Sequence, residues 1–299
     1  MYLIFCLVAL VYSEQNVSEY KGILTPDCTR AYYRIFVTRR VPPRNYHYFH
    51  EKIDLHQKIS DNSQGKTLED DLNWRIVGGN IVSIEDVPYQ VLYGRYCGGS
   101  LIAPQWVITA AHCKDKETFV LAGSTRRSQA KSYKICAHFI HPKWNTSKTH
   151  NHDFDYQLVL LETPIPVTPS SRPIAIGSLD DVKPGSMTSI SGWGHLQFKK
   201  SRMQDLVRRV SIPVMDDEEC RTLSNGFFKN ITPRMFCAGY RAGAKDSCQG
   251  DSGGPAVING KLVGLVSFGV GCAFPDTPGV YSKIPVVRDW IRSITALPL

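Results

Sequence analysis

Gly250-Asp251-Ser252-Gly253-Gly254-Pro255 is the stretch on which the reading of this chain turns. A serine set among glycines sits where the backbone can bend sharply and another molecule can come close. Its hydroxyl is a poor nucleophile until a base removes the proton. Alone, the string is also what an ordinary turn looks like, because Gly, Asp, Ser and Pro dominate turns. Its meaning depends on what accompanies it.

Two candidate partners lie upstream. Thr109-Ala110-Ala111-His112-Cys113 closes a β-rich run through Trp106, Val107 and Ile108, and offers His112 as a general base. Asp153-Phe154-Asp155-Tyr156-Gln157-Leu158-Val159-Leu160-Leu161 offers an acid at the start of a strand. A buried carboxylate there would hold the imidazole tautomer and stabilise the imidazolium.

These strings, preceded by Arg75-Ile76-Val77-Gly78-Gly79, occur in the order of the trypsin/chymotrypsin family. From Ile76 to the C-terminus, about three quarters of its length, the chain resembles that family of serine endopeptidases. The resemblance implies an all-β fold of two six-stranded antiparallel β-barrels with the active site between them. It implies Ser252 as nucleophile and His112 as base and later acid. Asp155 is the implied orienting acid, because residues 155–161 match the family's Asp-x-x-Leu-apolar-x-Leu strand, whereas Asp153 would put Tyr156 where the first leucine belongs. The amides of Gly250 and Ser252 would form the oxyanion hole, where losing one donor typically costs on the order of 10²–10³ in rate.

Specificity and activation follow from the same resemblance. Asp246, six residues before Ser252, matches the base of the substrate pocket in trypsin-like members, where it would pair an Arg or Lys side chain. An uncharged substrate residue would leave that carboxylate desolvated and unpaired. Ser267, Phe268 and Gly269 match the pocket wall, and Gly271 and Gly279 fall where small residues keep it open. Relatives commonly carry Trp at the place of Phe268. Cleavage at Arg75–Ile76 would free an ammonium on Ile76 to pair with Asp251. The implied disulfides are Cys97–Cys113, Cys220–Cys237 and Cys248–Cys272, which leaves Cys28 and Cys136 without a family pattern to pair them. No cofactor and no metal is implied. The expected partners are protein or peptide substrates and protein protease inhibitors, with the chain acting as a monomer.

The rest of the chain is consistent with that reading. Its 299 residues are 42% hydrophobic and 21% charged, an ordinary globular balance. The formal charge of +8 reads as a solvated basic surface, and no nucleic-acid motif accompanies it. An apolar run from Tyr2 to Val11 is too short to span a bilayer. With small residues at Val11 and Ser13, it reads as a signal peptide over 1–13, implying secretion and no membrane insertion. Residues 14–75 show no sustained period and read as a propeptide with little structure of its own. Residues 76–299 carry short β-rich runs with turn residues between them, ending in a helix on which Val287, Trp290, Ile291 and Ile294 share a face.

Of nine cysteines, removal of Cys6 with the signal leaves eight, an even number suited to an oxidising compartment. No CxxC pair is present to nucleate zinc. Asn16, Asn145 and Asn230 open glycosylation sequons. Some family members bind calcium in the loop matching residues 121–135, but here that stretch holds no Asp or Glu. His138, His141, His150 and His152 read as loop histidines. Lys199, Lys200, Arg202, Arg208 and Arg209 read as a solvated basic loop. The alternative in another class is an inactive homologue used as a binding protein. Such homologues usually lose a triad member or an oxyanion glycine, and His112, Asp155, Ser252 and Gly250 are all present.

Overall fold

The computed structural model describes Cys28 and residues 79–144, 152–195, 203–243 and 245–299. The expected signal peptide, the expected propeptide apart from Cys28, the Arg75–Ile76 bond, Asn16, Asn145, His150, Lys199, Lys200 and Arg202 lie outside the described residues.

A closed barrel forms first. Strands β2 (Gln90–Tyr93), β3 (Cys97–Ala103), β4 (Trp106–Thr109), β5 (Phe119–Ala122), β6 (Lys131–Ile140) and β7 (Gln157–Leu161) pair antiparallel in the order β2-β3-β4-β7-β6-β5. Side chains alternate along a strand, so β4 and β7 each serve two apolar regions. Val107, Val159 and Leu161 point into the barrel with Val91, Tyr93 and Val120. Trp106, Ile108, Leu158 and Leu160 point the other way, into a seam shared with Val257, Leu262 and Leu265 of the second half. Burial on both faces explains why β7 reads as an unbroken apolar run.

The second sheet contains β1 (Asn80–Ile81), β8 (Met187–Gly192), β9 (Arg208–Pro213), β10 (Met235–Ala238), β11 (Pro255–Ile258), β12 (Lys261–Phe268) and β13 (Gly279–Lys283). Their order is β1-β9-β8-β11-β12-β13-β10. Beyond Pro213 the chain reaches β10: Val214 bridges Ala238, the Met215 amide donates to the Cys237 carbonyl (2.9 Å), and the Gly239 amide donates to the Pro213 carbonyl (2.9 Å). Those bonds close six of the strands into a second barrel, with β1 taking the start of the same edge of β9. Ile190, Val210, Ile212, Phe236, Val263 and Tyr281 fill it.

Helix α1 (Asp217–Thr222) is capped by the Asp216 carboxylate, which accepts from the amides of Glu218 and Glu219. The C-terminal helix α2 (Arg288–Thr295) lies on the seam between the barrels. Its Ile291 is fully buried, Trp290 and Ile294 are half-buried against the same cluster, and Val287 is buried just before it. Burial of a side chain such as Ile291 contributes about 1.5–3 kcal/mol. The helix thus fastens the two barrels whose cleft holds the site.

The three expected disulfides form, and a fourth joins Cys28 to Cys136 on β6 with Cα atoms 5.4 Å apart. Arg208 and Arg209 belong to β9 rather than to a loop, and Arg208 is buried. Asn230 is exposed. No helix among the described residues is long and apolar enough to cross a membrane.

Candidate active site

His112 sits in a short 3-10 turn (Ala111–Cys113) directly after β4, on a backbone anchored by the Cys97–Cys113 disulfide. Asp155 lies two residues before β7, the strand hydrogen-bonded to β4, so the ladder sets the two side chains side by side. Asp155 is fully buried. Its Oδ1 accepts from the His112 amide at 2.8 Å, and its Oδ2 lies 2.7 Å from His112 Nδ1. A carboxylate oxygen can only accept here, so Nδ1 carries a proton. A third donor comes from the other barrel: the Ser267 hydroxyl at the end of β12 reaches Oδ2 at 2.6 Å. The acid is therefore held by donors from both halves of the molecule.

The Ser252 loop is bound to the same corner. The Ser252 carbonyl accepts from the Gly98 amide at 2.7 Å, and the Cys113 sulfur lies 3.7 Å from that oxygen. Ser252 thereby sits beside the residue that follows His112. Gly250 and Gly253 adopt φ of +93° and +74°, where side chains are strained. A Cβ on Gly253 would run into Thr109 and the Gly98 carbonyl. Among the described residues, no hydrogen bond engages the amides of Gly250 or Ser252.

Asp246, two residues before the Cys248 of the Cys248–Cys272 disulfide, is 4% exposed. Its Oδ2 accepts from the Ala273 amide at 3.0 Å, while its Oδ1 is buried with no hydrogen-bond partner. Burial pushes its pKa up to about 7 against the pull of the Ala273 and Ser247 amides, with the Asp251 charge adding to the rise. A Cβ on Gly279 would stand 3.0 Å from that open oxygen, so glycine keeps the approach clear. The Gly269 Cα position faces Gly279 with only ordinary contacts, and Gly271 takes φ +73° beneath the Phe274 ring. Phe268 stacks on His152 with ring centres 4.8 Å apart.

The Trypsin family profile matches residues 76–291. The chain belongs to the trypsin family. It is 39% identical over 233 residues to trypsin 5G1 of Aedes aegypti, an alignment covering 75% of this chain and 86% of that protein. It is 40% identical over 224 residues to a trypsin of Simulium vittatum (70% of this chain, 89% of the relative). Trypsin II-P29 of Gallus gallus is 37% identical over 229 residues (74% and 90%). The protein is thus a trypsin-family serine protease, and families of this kind act on protein substrates.

For a trypsin-family chain, sequence reasoning missed several supports. Ser267, expected only in the pocket wall, donates to Asp155. Gly192 and Gly194 lie against Asp251, where a Cβ on either would collide with its carboxylate. Asp251 is fully buried and accepts from the Gly194 amide (2.9 Å) and the Cys248 amide (3.0 Å), yet burial still pushes it up to about 6. His152, read as a loop histidine, stands edge-on to His112 with centres 5.7 Å apart. Burial lowers its pKa, opposed by the Asp155 charge. Asp153, the second candidate for the acid, is held in a bidentate pair with Arg234. Sequence could have flagged the glycines of Gly192-Trp193-Gly194; nothing in it signalled Arg234. Cys97, His112 and Cys113 cluster closely enough for a metal, but the two sulfurs are spent in a disulfide and offer no thiolate.

Proposed function

We propose that the protein is a secreted serine endopeptidase, made as a zymogen, that hydrolyses peptide bonds after Arg or Lys. The observation that carries the specificity is Asp246: a buried carboxylate with one oxygen unpartnered, beside Gly279 where a side chain would crowd it. A guanidinium or ammonium reaching that oxygen supplies the missing donor and lets the carboxylate ionise.

In this reading His112 Nε2 takes the Ser252 proton as the hydroxyl oxygen attacks the scissile carbonyl. The negative charge that develops on the carbonyl oxygen is met by the Gly250 and Ser252 amides. The imidazolium is stabilised by Asp155 and returns its proton to the leaving amine, giving an acyl-enzyme. Water, deprotonated by the same imidazole, then releases the acid product.

Activation rests on Asp251. Two amides alone leave its burial costly, and the ammonium freed by cleavage at Arg75–Ile76 provides the counter-charge. Asp251 directly precedes Ser252, so ordering its carboxylate orders the oxyanion amides. Residues 1–13 act as the signal and 14–75 as the propeptide. With Cys28 joined to Cys136, the cut leaves two chains held by one disulfide. Glycans on Asn16, Asn145 or Asn230, monomeric behaviour and capture by protein inhibitors complete the proposal.

The test is hydrolysis of paired fluorogenic peptides ending in Arg or Phe, before and after cleavage at Arg75, with Ser252→Ala as control. Arg-selective turnover that appears only after cleavage and is absent from the control is expected. No turnover with an authentic Ile76 terminus would return the chain to the binding-protein class. Preference for Phe would remove Asp246 from its role.

A further inference from the structure

We propose that Arg234, which precedes β10 in the second barrel, is a positioning residue for the acid Asp155; this rests on the triad reading above. The segment carrying Asp155 comes from the first barrel and makes an unusual turn, with φ of +67° at His152 and +57° at Phe154. Neither residue is glycine, so the turn persists only if its surroundings fix it.

Arg234 supplies that fixing from both sides of Asp155. On one side its Nε and Nη2 donate to the Asp153 carboxylate at 2.8 and 2.7 Å, a bidentate geometry that sets direction as well as distance. The guanidinium also lies over the Phe154 ring at 4.4 Å. On the other side the Tyr156 hydroxyl donates to the Arg234 carbonyl at 3.1 Å and to the Lys283 carbonyl at 2.9 Å. Thr232, two residues before Arg234, adds a hydroxyl donor to Asp153 at 3.0 Å. Asp153 is buried, while the Arg234 guanidinium that holds it is partly exposed.

The residues flanking the acid are thus tied to one position on the opposite barrel. The Ser267 bond reaches Asp155 itself from that barrel. Small displacements of an orienting group cost rate rather than substrate affinity, because the imidazolium it stabilises exists only as the reaction proceeds.

The experiment uses the full chain cleaved at Arg75. Arg234→Met is expected to lower kcat about 10- to 100-fold with KM within about twofold, since a 1 Å misplacement can cost on the order of 10². It also weakens the low-field proton resonance of the His112–Asp155 hydrogen bond. Arg234→Lys, a point charge without the fork, recovers part of kcat. The double variant Asp153→Asn/Arg234→Met removes the stranded buried charge, so it restores melting temperature but not kcat. Recovery of both together, or an unchanged kcat in Arg234→Met, overturns the proposal. Should Arg234→Met not fold, Thr232→Val decides: a two- to fivefold loss of kcat at constant KM supports the clamp, and no change overturns it. Asp155→Asn runs alongside. If that variant keeps full activity the triad reading fails; if it is inactive while Arg234→Met is normal, only the clamp fails.

Discussion

In the first barrel, apart from the carboxylates Asp153 and Asp155 at the site, a buried cluster of His138, Gln157 and Tyr93 is neutral and its members meet one another. His138 Nδ1 lies 2.8 Å from Gln157 Nε2 and 3.1 Å from the Tyr93 hydroxyl, and that hydroxyl donates to the Lys114 carbonyl at 2.6 Å. The second barrel buries two carboxylates, Asp246 and Asp251, met chiefly by backbone amides. Desolvation works the same way in both places, against charge: it pushes His138 down to about 4 and the two carboxylates up to about 7 and 6. The first cluster is met largely by its own neighbours, with only the Gln157 Oε1 left over. The second leaves an oxygen of Asp246 without a partner, and in the function proposed above cations from outside supply what is missing. The comparison separates polar groups that hold a fold together from polar groups that wait for a partner.

The sharpest way to break that contrast is Asp246→Ser. Removing the acceptor of a buried ion pair typically costs about 3–5 kcal/mol, so turnover of the Arg peptide should fall by roughly 10²- to 10⁴-fold. Turnover of the Phe peptide should be little changed. An equal loss on both peptides would mean that Asp246 supports the loop rather than the substrate. The same carboxylate sets a pH dependence: competitive inhibition by a small amidine should weaken about tenfold per pH unit as pH falls below about 7.

Asp251 gives the next effect. In the uncleaved chain its folded pKa, about 6, lies above the unfolded carboxylate value. The folded form then holds a proton that the unfolded chain has released, and the stability this brings below pH 4 is lost as pH rises through 6. An ammonium beside the carboxylate reverses the sign. The melting temperature of Ser252→Ala protein cut at Arg75 should therefore pull ahead of the uncut form between pH 4 and 6, then hold its lead. Parallel curves from calorimetry would separate Asp251 from activation.

The smallest effect belongs to the first barrel. His138 is neutral when folded and charges when unfolded, so its contribution to stability is present at pH 7 and lost as pH falls from 6.5 to 4. His141 behaves alike and would remain. His138→Gln should flatten the fall of melting temperature across that window by a few degrees. A slope as steep as before would place the acid sensitivity elsewhere.

Much of this was legible in the sequence, for reasons that differ by residue. The resemblance to the family's strand pattern chose between two aspartates two residues apart, and the pairing of β4 with β7 sets Asp155 beside His112. Strands buried on both faces, such as β4, β7 and β12, announced themselves as apolar runs. β6 and β9 did not, because one starts in exposed polar residues and the other contains adjacent arginines. The bonds that serve the site across the barrels were invisible. Ser267 and Arg234 lie 112 and 81 residues from the carboxylates they hold, and only closure of the second barrel brings them there. Local sequence carries local chemistry; the supports of a site built between two bodies are not local.

The Cys28–Cys136 bridge has a bearing on how the protein is made in the laboratory. A recombinant chain begun at Ile76 contains seven cysteines, with the mate of Cys136 deleted. Oxidative refolding of such a chain always ends with one thiol to spare, on the half-buried face of β6, where it is open to mixed disulfides with glutathione or to covalent pairing of two copies. An expression product that starts between Cys6 and Cys28 restores an even thiol count, and its redox homogeneity is then set by the protein rather than by the buffer.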